Sequence, residues 1–171
     1  MIERLLILNT RMVQESMQNR KPMVLVMAGP NGSGKSTIMY FFNKSGMYTN
    51  ADDVADALGM SDEAAAILVD KMRYGSIEKR EDFTFETVLS SEGELEILRA
   101  ASEAGYFIKC VFVLTNDPNI NVKLVESRVA SGGHAVKPDK IASRYYKSLN
   151  DVKELMYLCD ILHVYGNICI R

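Results

Sequence analysis

The sequence contains few cysteines, and their spacing forms no recognisable pair. Cys110, Cys159 and Cys169 are odd in number and include no C-x-x-C motif. This pattern favours reduced thiols in a cytosolic protein over a disulfide scaffold or a zinc site. We therefore interpret the three cysteines as core residues without a chemical role.

Long apolar runs and concentrations of basic charge are also missing. No stretch approaches the length of a membrane span, and the opening segment carries Glu3 and lacks a small-residue cleavage site. Lys and Arg total 20 against 22 Asp and Glu, with no basic block, so the charge pattern of a general nucleic-acid binder is absent. We expect a cytoplasmic protein with no membrane partner and no nucleic-acid partner.

The composition that remains indicates one globular enzyme domain. The chain has 171 residues, of which 47% are hydrophobic and 25% are charged. This is enough for one substantial core and too little for two. The chain contains no internal repeat, low-complexity tract or linker, so we expect residues 1–171 to form a single domain.

The most specific pattern is a phosphate-binding loop between a predicted strand and a predicted helix. The apolar run 24–27 is typical of a buried parallel strand, and Gly29, Gly34, Lys35 and Ser36 satisfy G-x-x-x-x-G-K-[ST]. A nucleotide is therefore expected at a helix N-terminus, with the Lys35 charge against its β- and γ-phosphates and the Ser36 hydroxyl placed to ligate Mg²⁺. The residues predicted to bind the nucleotide are Gly29, Pro30, Asn31, Gly32, Ser33, Gly34, Lys35, Ser36 and Thr37.

Strand and helix patterns alternate along the chain, which predicts a three-layer α/β fold of the P-loop NTPase type with a mostly parallel sheet. Apolar residues at helical spacing predict a leading helix over residues 1–18, laid on the domain. The helix after the phosphate loop is expected to end near Gly46. Strands are predicted over residues 24–27, 47–49, 82–86, 107–114 and 161–165, with helices over 61–80, from 91 to about 104, over 118–128 and from 138.

Two acidic residues follow the second predicted strand, at the sheet edge where ligands bind in parallel α/β folds. The carboxylate of Asp52 or Asp53 can accept a hydroxyl proton there or bind Mg²⁺ through water. An Asx turn or a helix N-cap is an equally good structural alternative. We expect the two side chains to point to different sides, because successive residues leaving a strand do so.

Glu86 and Thr87 end the third predicted strand and face the same cleft if the sheet is parallel. They are therefore candidates to hydrogen-bond a substrate. The alternative is a cap for the following helix, for which Ser90 or Ser91 is the better candidate.

Arg128 and Arg144 flank the glycine-containing segment SGGHAVKPD. Two helical arginines joined by a flexible hinge are typical of a helical lid over transferring phosphates, so residues 128–144 are the predicted lid region. Isolated arginines, in contrast, are more often solvated surface residues. His134 lies in the same segment, with no ligand spacing around it that makes a metal site, and we count it as a candidate substrate-binding residue.

Taken in order, four segments resemble the zeta toxin family, in particular its small branch of predicted ATPases and zeta-toxin-like kinases. The segments are AGPNGSGKST at 28–37, NADD at 50–53, FETVLS at 85–90 and ESRVASGGHAVKPDKIASRYYKSLND at 126–151. The resemblance implies a P-loop small-molecule kinase in which ATP donates its γ-phosphate to a hydroxyl of a UDP-N-acetyl sugar.

The resemblance also implies a role for each matched residue. Lys35 and Ser36 serve ATP and Mg²⁺, Asp52 is the base, Glu86 contacts the acceptor sugar, and Arg128 and Arg144 clamp the phosphates. Two alternatives stay open. The acceptor can be another small molecule such as a nucleoside, an antibiotic or another sugar, or the chain can be the ATP-binding component of a toxin–antitoxin pair, held by an antitoxin protein through its leading helix.

Overall fold

The protein folds around a five-stranded sheet. The computed structural model describes residues 20–130 and 136–167. The sheet has the order β2-β3-β1-β4-β5, and every neighbouring pair is parallel. This confirms the α/β fold, with a sheet that is entirely parallel in the described residues. The strands are β1 (Met23–Ala28), β2 (Met47–Thr49), β3 (Phe83–Thr87), β4 (Phe107–Leu114) and β5 (Ile161–Gly166).

Strand β1 lies at the centre of the sheet and is buried from Val24 to Ala28. Ala28 pairs with Thr87 of β3 on one side and with Phe112 of β4 on the other. The chain therefore leaves the sheet at the point where the strand order reverses, which is where open α/β sheets bind ligands.

Helices cover both faces of the sheet. On one face, α4 and α6 pack against a large apolar cluster that includes Phe83, Phe85 and Phe112. On the other face, Met39 of α1 packs against a smaller cluster from β1 and β4. The helices are α1 (Lys35–Met39), α2 (Ala51–Leu58), α3 (Asp62–Lys79), α4 (Glu92–Glu103), α5 (Pro118–Ala130) and α6 (Pro138–Leu158).

Several elements differ from the sequence-based prediction, most of them by one or two residues at an end. Helix α1 ends at Met39 instead of near Gly46. The next two side chains, Tyr40 and Phe41, are 89% and 80% exposed, so further helical turns would not be stabilised by burial of these side chains. The third strand is shifted by one residue, to 83–87. Residues 51–58, which had no predicted element, form α2.

Helix α2 starts and ends with recognisable signals. The Asn50 side chain accepts a hydrogen bond from the Asp52 N–H, and Gly59 ends the helix with a φ of 61°. Asp52 and Asp53 therefore lie in the first turn of a helix. Both residues follow the end of β2 at Thr49, as predicted. The use of strand geometry to predict their side-chain directions was wrong, because both are helical, and the N-cap is Asn50, not Asp52.

Some predictions fall outside the described residues. These are the leading helix over residues 1–18, His134 and the glycine-containing centre of the lid region. Within the described ranges, none of the helices is long and apolar enough to cross a membrane.

Candidate active site

The phosphate loop has the backbone that its glycines predict. Gly34 precedes α1 with a φ of 99°, and Gly32 has a φ of 73°. At Gly29, φ is 138° and an added Cβ would lie 2.1 Å from the carbonyl oxygen of Val113. Only glycine tolerates this conformation and this approach, so Gly29 lets the loop leave β1 in close contact with β4.

Lys35 is buried at the start of α1, with 7% of its surface exposed. Its Nζ donates to the carbonyl oxygens of Gly29 at 2.7 Å and Pro30 at 3.1 Å. Burial lowers the pKa of Lys35, while the nearby carboxylates of Glu86 and Asp52 act in the opposite direction. The amine is thus placed among charges, in a partly dehydrated site at the mouth of the loop.

A cavity of about 480 Å³ opens beside the loop. It brings together residues from the phosphate loop, α2, α3, β3, α4, α5 and α6. The predicted site residues that line it are Asn31, Gly32, Gly34, Lys35, Ser36, Thr37, Asp52, Glu86, Thr87, Arg128 and Arg144. Of the other predicted residues, Gly29, Pro30 and Ser33 belong to the loop without lining the cavity, and His134 lies outside the described residues.

The two adjacent aspartates at the start of α2 differ in position. Asp52 lines the cavity, whereas Asp53 does not. Burial and the neighbouring Asp52 charge raise the pKa of Asp53. Of the two adjacent carboxylates, only Asp52 can therefore meet a ligand in this cavity.

Glu86 contacts the phosphate loop directly. Its Oε1 lies 3.4 Å from the Ser36 hydroxyl oxygen and 4.0 Å from Lys35 Nζ, and its Oε2 accepts from the Tyr48 hydroxyl at 3.3 Å. Thr87 also lines the cavity, but its hydroxyl donates to Glu94 and accepts from the Leu89 N–H. Ser91 is the N-cap of α4, in a capping box with Glu94.

The stability of the fold is expected to depend on the ionisation of Glu86. Burial raises the pKa of Glu86 above its ordinary 4.5, so the folded chain holds the Glu86 proton more tightly than the unfolded chain. The stabilisation from this group is fully present below the unfolded pKa and is lost as pH rises through the folded pKa. We expect Glu86→Gln to make the thermal unfolding midpoint fall less steeply as pH rises above 4.5, the ordinary pKa of this carboxyl. Glu103→Gln, an exposed change on α4, is the control, and an identical slope for Glu86→Gln and wild type would contradict the prediction.

Asn31 connects the phosphate loop to the two helices that carry the arginines. Its carbonyl oxygen accepts from Asn121 Nδ2 of α5 at 2.7 Å, and its Oδ1 accepts from Arg144 Nη1 of α6 at 3.4 Å. The Arg128 charge, from the last turn of α5, acts on Lys35 and lowers its pKa further. Both arginines are therefore near the loop, while their action on the phosphates and the closure of the lid region stay predictions.

Sequence reasoning missed three residues near the loop. Asn121 is fully buried, Asn167 Nδ2 donates to the Ser33 carbonyl oxygen at 3.1 Å, and Arg73 lines the cavity from α3. For Arg73 a signal exists, because the buried positions of α3 are Ala65, Val69, Arg73 and Ser76. A charged residue on the buried stripe of a helix is rarely there without a partner.

Comparison with known proteins agrees with the order of the sequence motifs and with the cavity that their residues share. A family model described as zeta toxin matches residues 43–167, which include Asp52, Glu86, Arg128 and Arg144. The chain belongs to the zeta toxin family. An uncharacterized protein of Haemophilus influenzae is 27% identical over 135 residues, covering 75% of this chain and 94% of that protein.

Solved structures share the fold of this zeta toxin family member at low sequence identity. The PezAT toxin–antitoxin system of Streptococcus pneumoniae matches with a TM-score of 0.63 and 12% identity over 87% of this chain and 70% of that one. A putative kinase from Chloroflexus aurantiacus matches with a TM-score of 0.58 and 14% identity over 88% and 90%. The AvrRxo1-ORF1:ORF2 complex with ATP matches with a TM-score of 0.66 and 12% identity over 88% and 56%. This chain spans little more than half of the AvrRxo1 chain, and the likenesses establish a P-loop kinase-like fold.

Proposed function

We propose that this protein is an ATP-dependent phosphotransferase that moves the γ-phosphate of ATP to a hydroxyl of a small acceptor in the cytoplasm. A UDP-N-acetyl sugar is the first acceptor to test. The observation that carries the proposal is the single cavity that joins the phosphate loop, the Asp52 carboxylate, Arg128 and Arg144. Phosphoryl transfer requires a phosphate cradle, a group that receives the hydroxyl proton, and cations for the charge on the phosphates.

Each side chain has a distinct part in the proposed reaction. The Lys35 amine leaves its carbonyl partners for phosphate oxygens, and the loop N–H groups bind the same phosphates. Asp52 accepts the proton of the attacking hydroxyl. Arg128 and Arg144 neutralise the charge on the phosphoryl group as it moves.

Mg²⁺ fits the donor set beside the loop, because this ion prefers oxygen ligands. The Ser36 hydroxyl and the Glu86 carboxylate lie within 3.4 Å of each other, and Asp52 lines the same cavity. Across residues 20–130 and 136–167, no three His, Cys, Asp or Glu side chains are grouped to hold a metal. Ser36 would therefore hold the ion together with phosphate oxygens and water, and the bound ion would supply positive charge next to the phosphates.

The role of Asp52 as base predicts a rate effect without a folding effect. Asp52→Asn should keep the fold and ATP binding, since the amide is nearly isosteric and Asn50 supplies the helix cap. Turnover should fall by about 10² to 10⁴, the usual contribution of a general base. Steady-state transfer, ATP affinity and thermal stability are measured on the same preparations.

Asp53→Asn is the matched control, because Asp53 does not line the cavity. It should cost far less turnover. An Asp52→Asn variant with wild-type turnover would leave Asp52 a structural residue. The acceptor is identified by ATP consumption in the presence of UDP-N-acetylglucosamine, uridine or kanamycin, which represent nucleotide sugars, nucleosides and antibiotics.

A second candidate function rests on the likeness to the PezAT toxin–antitoxin system. The chain would then be the ATP-binding component of a pair, with an antitoxin protein as its partner. Co-expression with the product of an adjoining gene for a small helical protein tests this: a stable complex that suppresses toxicity supports it, and independent purification of both proteins contradicts it.

A further inference from the structure

A buried arginine outside the phosphate loop is held in one orientation beside the cavity. The Arg73 side chain is 4% exposed. Its Nε donates to Thr49 Oγ1 at 3.0 Å, and its Nη1 donates to Asp70 Oδ1 at 3.0 Å. Its guanidinium carbon lies 4.4 Å from the centre of the Phe85 ring, a favourable arrangement of a planar cation on an aromatic face. The guanidinium is thus positioned before any substrate arrives.

These contacts leave one nitrogen of Arg73 unused. Nη2 donates to no residue in the described ranges. In those ranges, the buried side-chain atoms without a hydrogen-bond partner are Ser33 Oγ and Ser148 Oγ. Nη2 of Arg73 is not one of them. Because Arg73 lines the cavity, its Nη2 donors face that cavity.

The charges around Arg73 restrict what it can bind. Burial lowers the pKa of Arg73, and the carboxylates of Asp70 and Glu94 act on it in the opposite direction. Both carboxylates line the cavity, so one guanidinium stands beside two acidic groups. A third negative charge would be repelled here, whereas an uncharged oxygen can accept a hydrogen bond from the cation.

We propose that Arg73 is a specificity-determining residue that binds an uncharged oxygen of the acceptor, either a hydroxyl or an amide carbonyl. The inference rests on the proposed function, because it requires an acceptor in this cavity. Arg73 is separate from the groups that hold the transferring phosphate. It acts on acceptor binding, and its loss changes the acceptor KM.

The test compares Arg73→Gln and Arg73→Lys with wild type, using UDP-N-acetylglucosamine, uridine and kanamycin as acceptor probes. With the acceptor that wild type uses, the acceptor KM should rise about 10- to 100-fold, the range for loss of one hydrogen bond to a charged group. The KM for ATP should stay unchanged. Added guanidinium ion should partly restore acceptor affinity to Arg73→Ala, an effect that a purely structural role does not give. Arg80→Gln, at the C-terminus of the same helix and outside the cavity, is the control.

The outcomes separate this inference from the proposed function. Suppose that wild type transfers phosphate and that folded Arg73→Gln or Arg73→Lys has an unchanged acceptor KM. This result overturns the Arg73 assignment alone. Unfolding of both variants also overturns it, since Arg73 would then be structural. A wild type that transfers phosphate to none of the three probes overturns the proposed function and the inference with it.

Discussion

Replacement of Lys35 by alanine is expected to lower phosphate transfer by about 10³-fold or more. Lys35 supplies positive charge in a buried site, where its attraction to phosphate is screened much less than in water. Among the described residues that line the cavity, it is the one lysine, so no neighbour can replace it. Transfer of labelled γ-phosphate and ATP affinity are the measurements.

Two further variants show whether the effect comes from the charge. Lys35→Met keeps the length of the buried side chain and removes the amine, and it should be as inactive as Lys35→Ala. Lys123→Ala, an exposed change on α5, should retain wild-type transfer. Undiminished turnover in Lys35→Ala would contradict the assignment of this loop as the ATP-binding site.

Arg128→Ala and Arg144→Ala are expected to lower turnover far more than they weaken ATP binding. Arginines that act on the transition state of phosphoryl transfer contribute about 10³ to 10⁵ in rate in the best-studied cases, and two arginines in one site can share that effect. Both line the cavity, and Arg144 Nη1 already reaches the phosphate-loop residue Asn31 at 3.4 Å. Single-turnover transfer at saturating ATP separates the chemical step from binding.

A surface arginine provides the control for this pair. Arg99 of α4 forms ion pairs with Glu92 and Glu154 and does not line the cavity. Arg99→Ala should leave turnover unchanged. If Arg128→Ala and Arg144→Ala also keep near-normal turnover, both arginines are surface residues and the phosphate-clamp interpretation is wrong.

The parts of the fold that could be predicted are those with local signals. The G-x-x-x-x-G-K-[ST] pattern places the loop, because the glycine φ values and the Lys35 position are requirements of the loop itself. The β4 prediction over 107–114 is exact, since a run that is apolar except for Lys109 is typical of a strand buried on both faces. Family membership followed from the order of the four motifs, and the family match confirms it.

What escaped prediction depends on contacts between distant residues or on weak local signals. Helix α2 is short, and its caps Asn50 and Gly59 were the only strong signals for it. The partners of Arg73 come from β2, β3 and its own helix. No local pattern could show that Thr49 and Phe85 meet its guanidinium, because they lie on neighbouring strands that are separated in sequence.

The central position of β1 affects how the protein folds during synthesis. Val24 pairs with Phe83 and Ile108, so the strand that carries the phosphate loop has no nearby partner in the chain. Parallel strands that are this far apart in the sequence pair slowly, because the entropy of loop closure is lost before the contacts form. Nucleotide stabilises only chains that can already bind it, and Arg144 is made after every strand except β5. On the proposed function, a growing chain therefore cannot transfer phosphate before Arg144 of α6 has been synthesised.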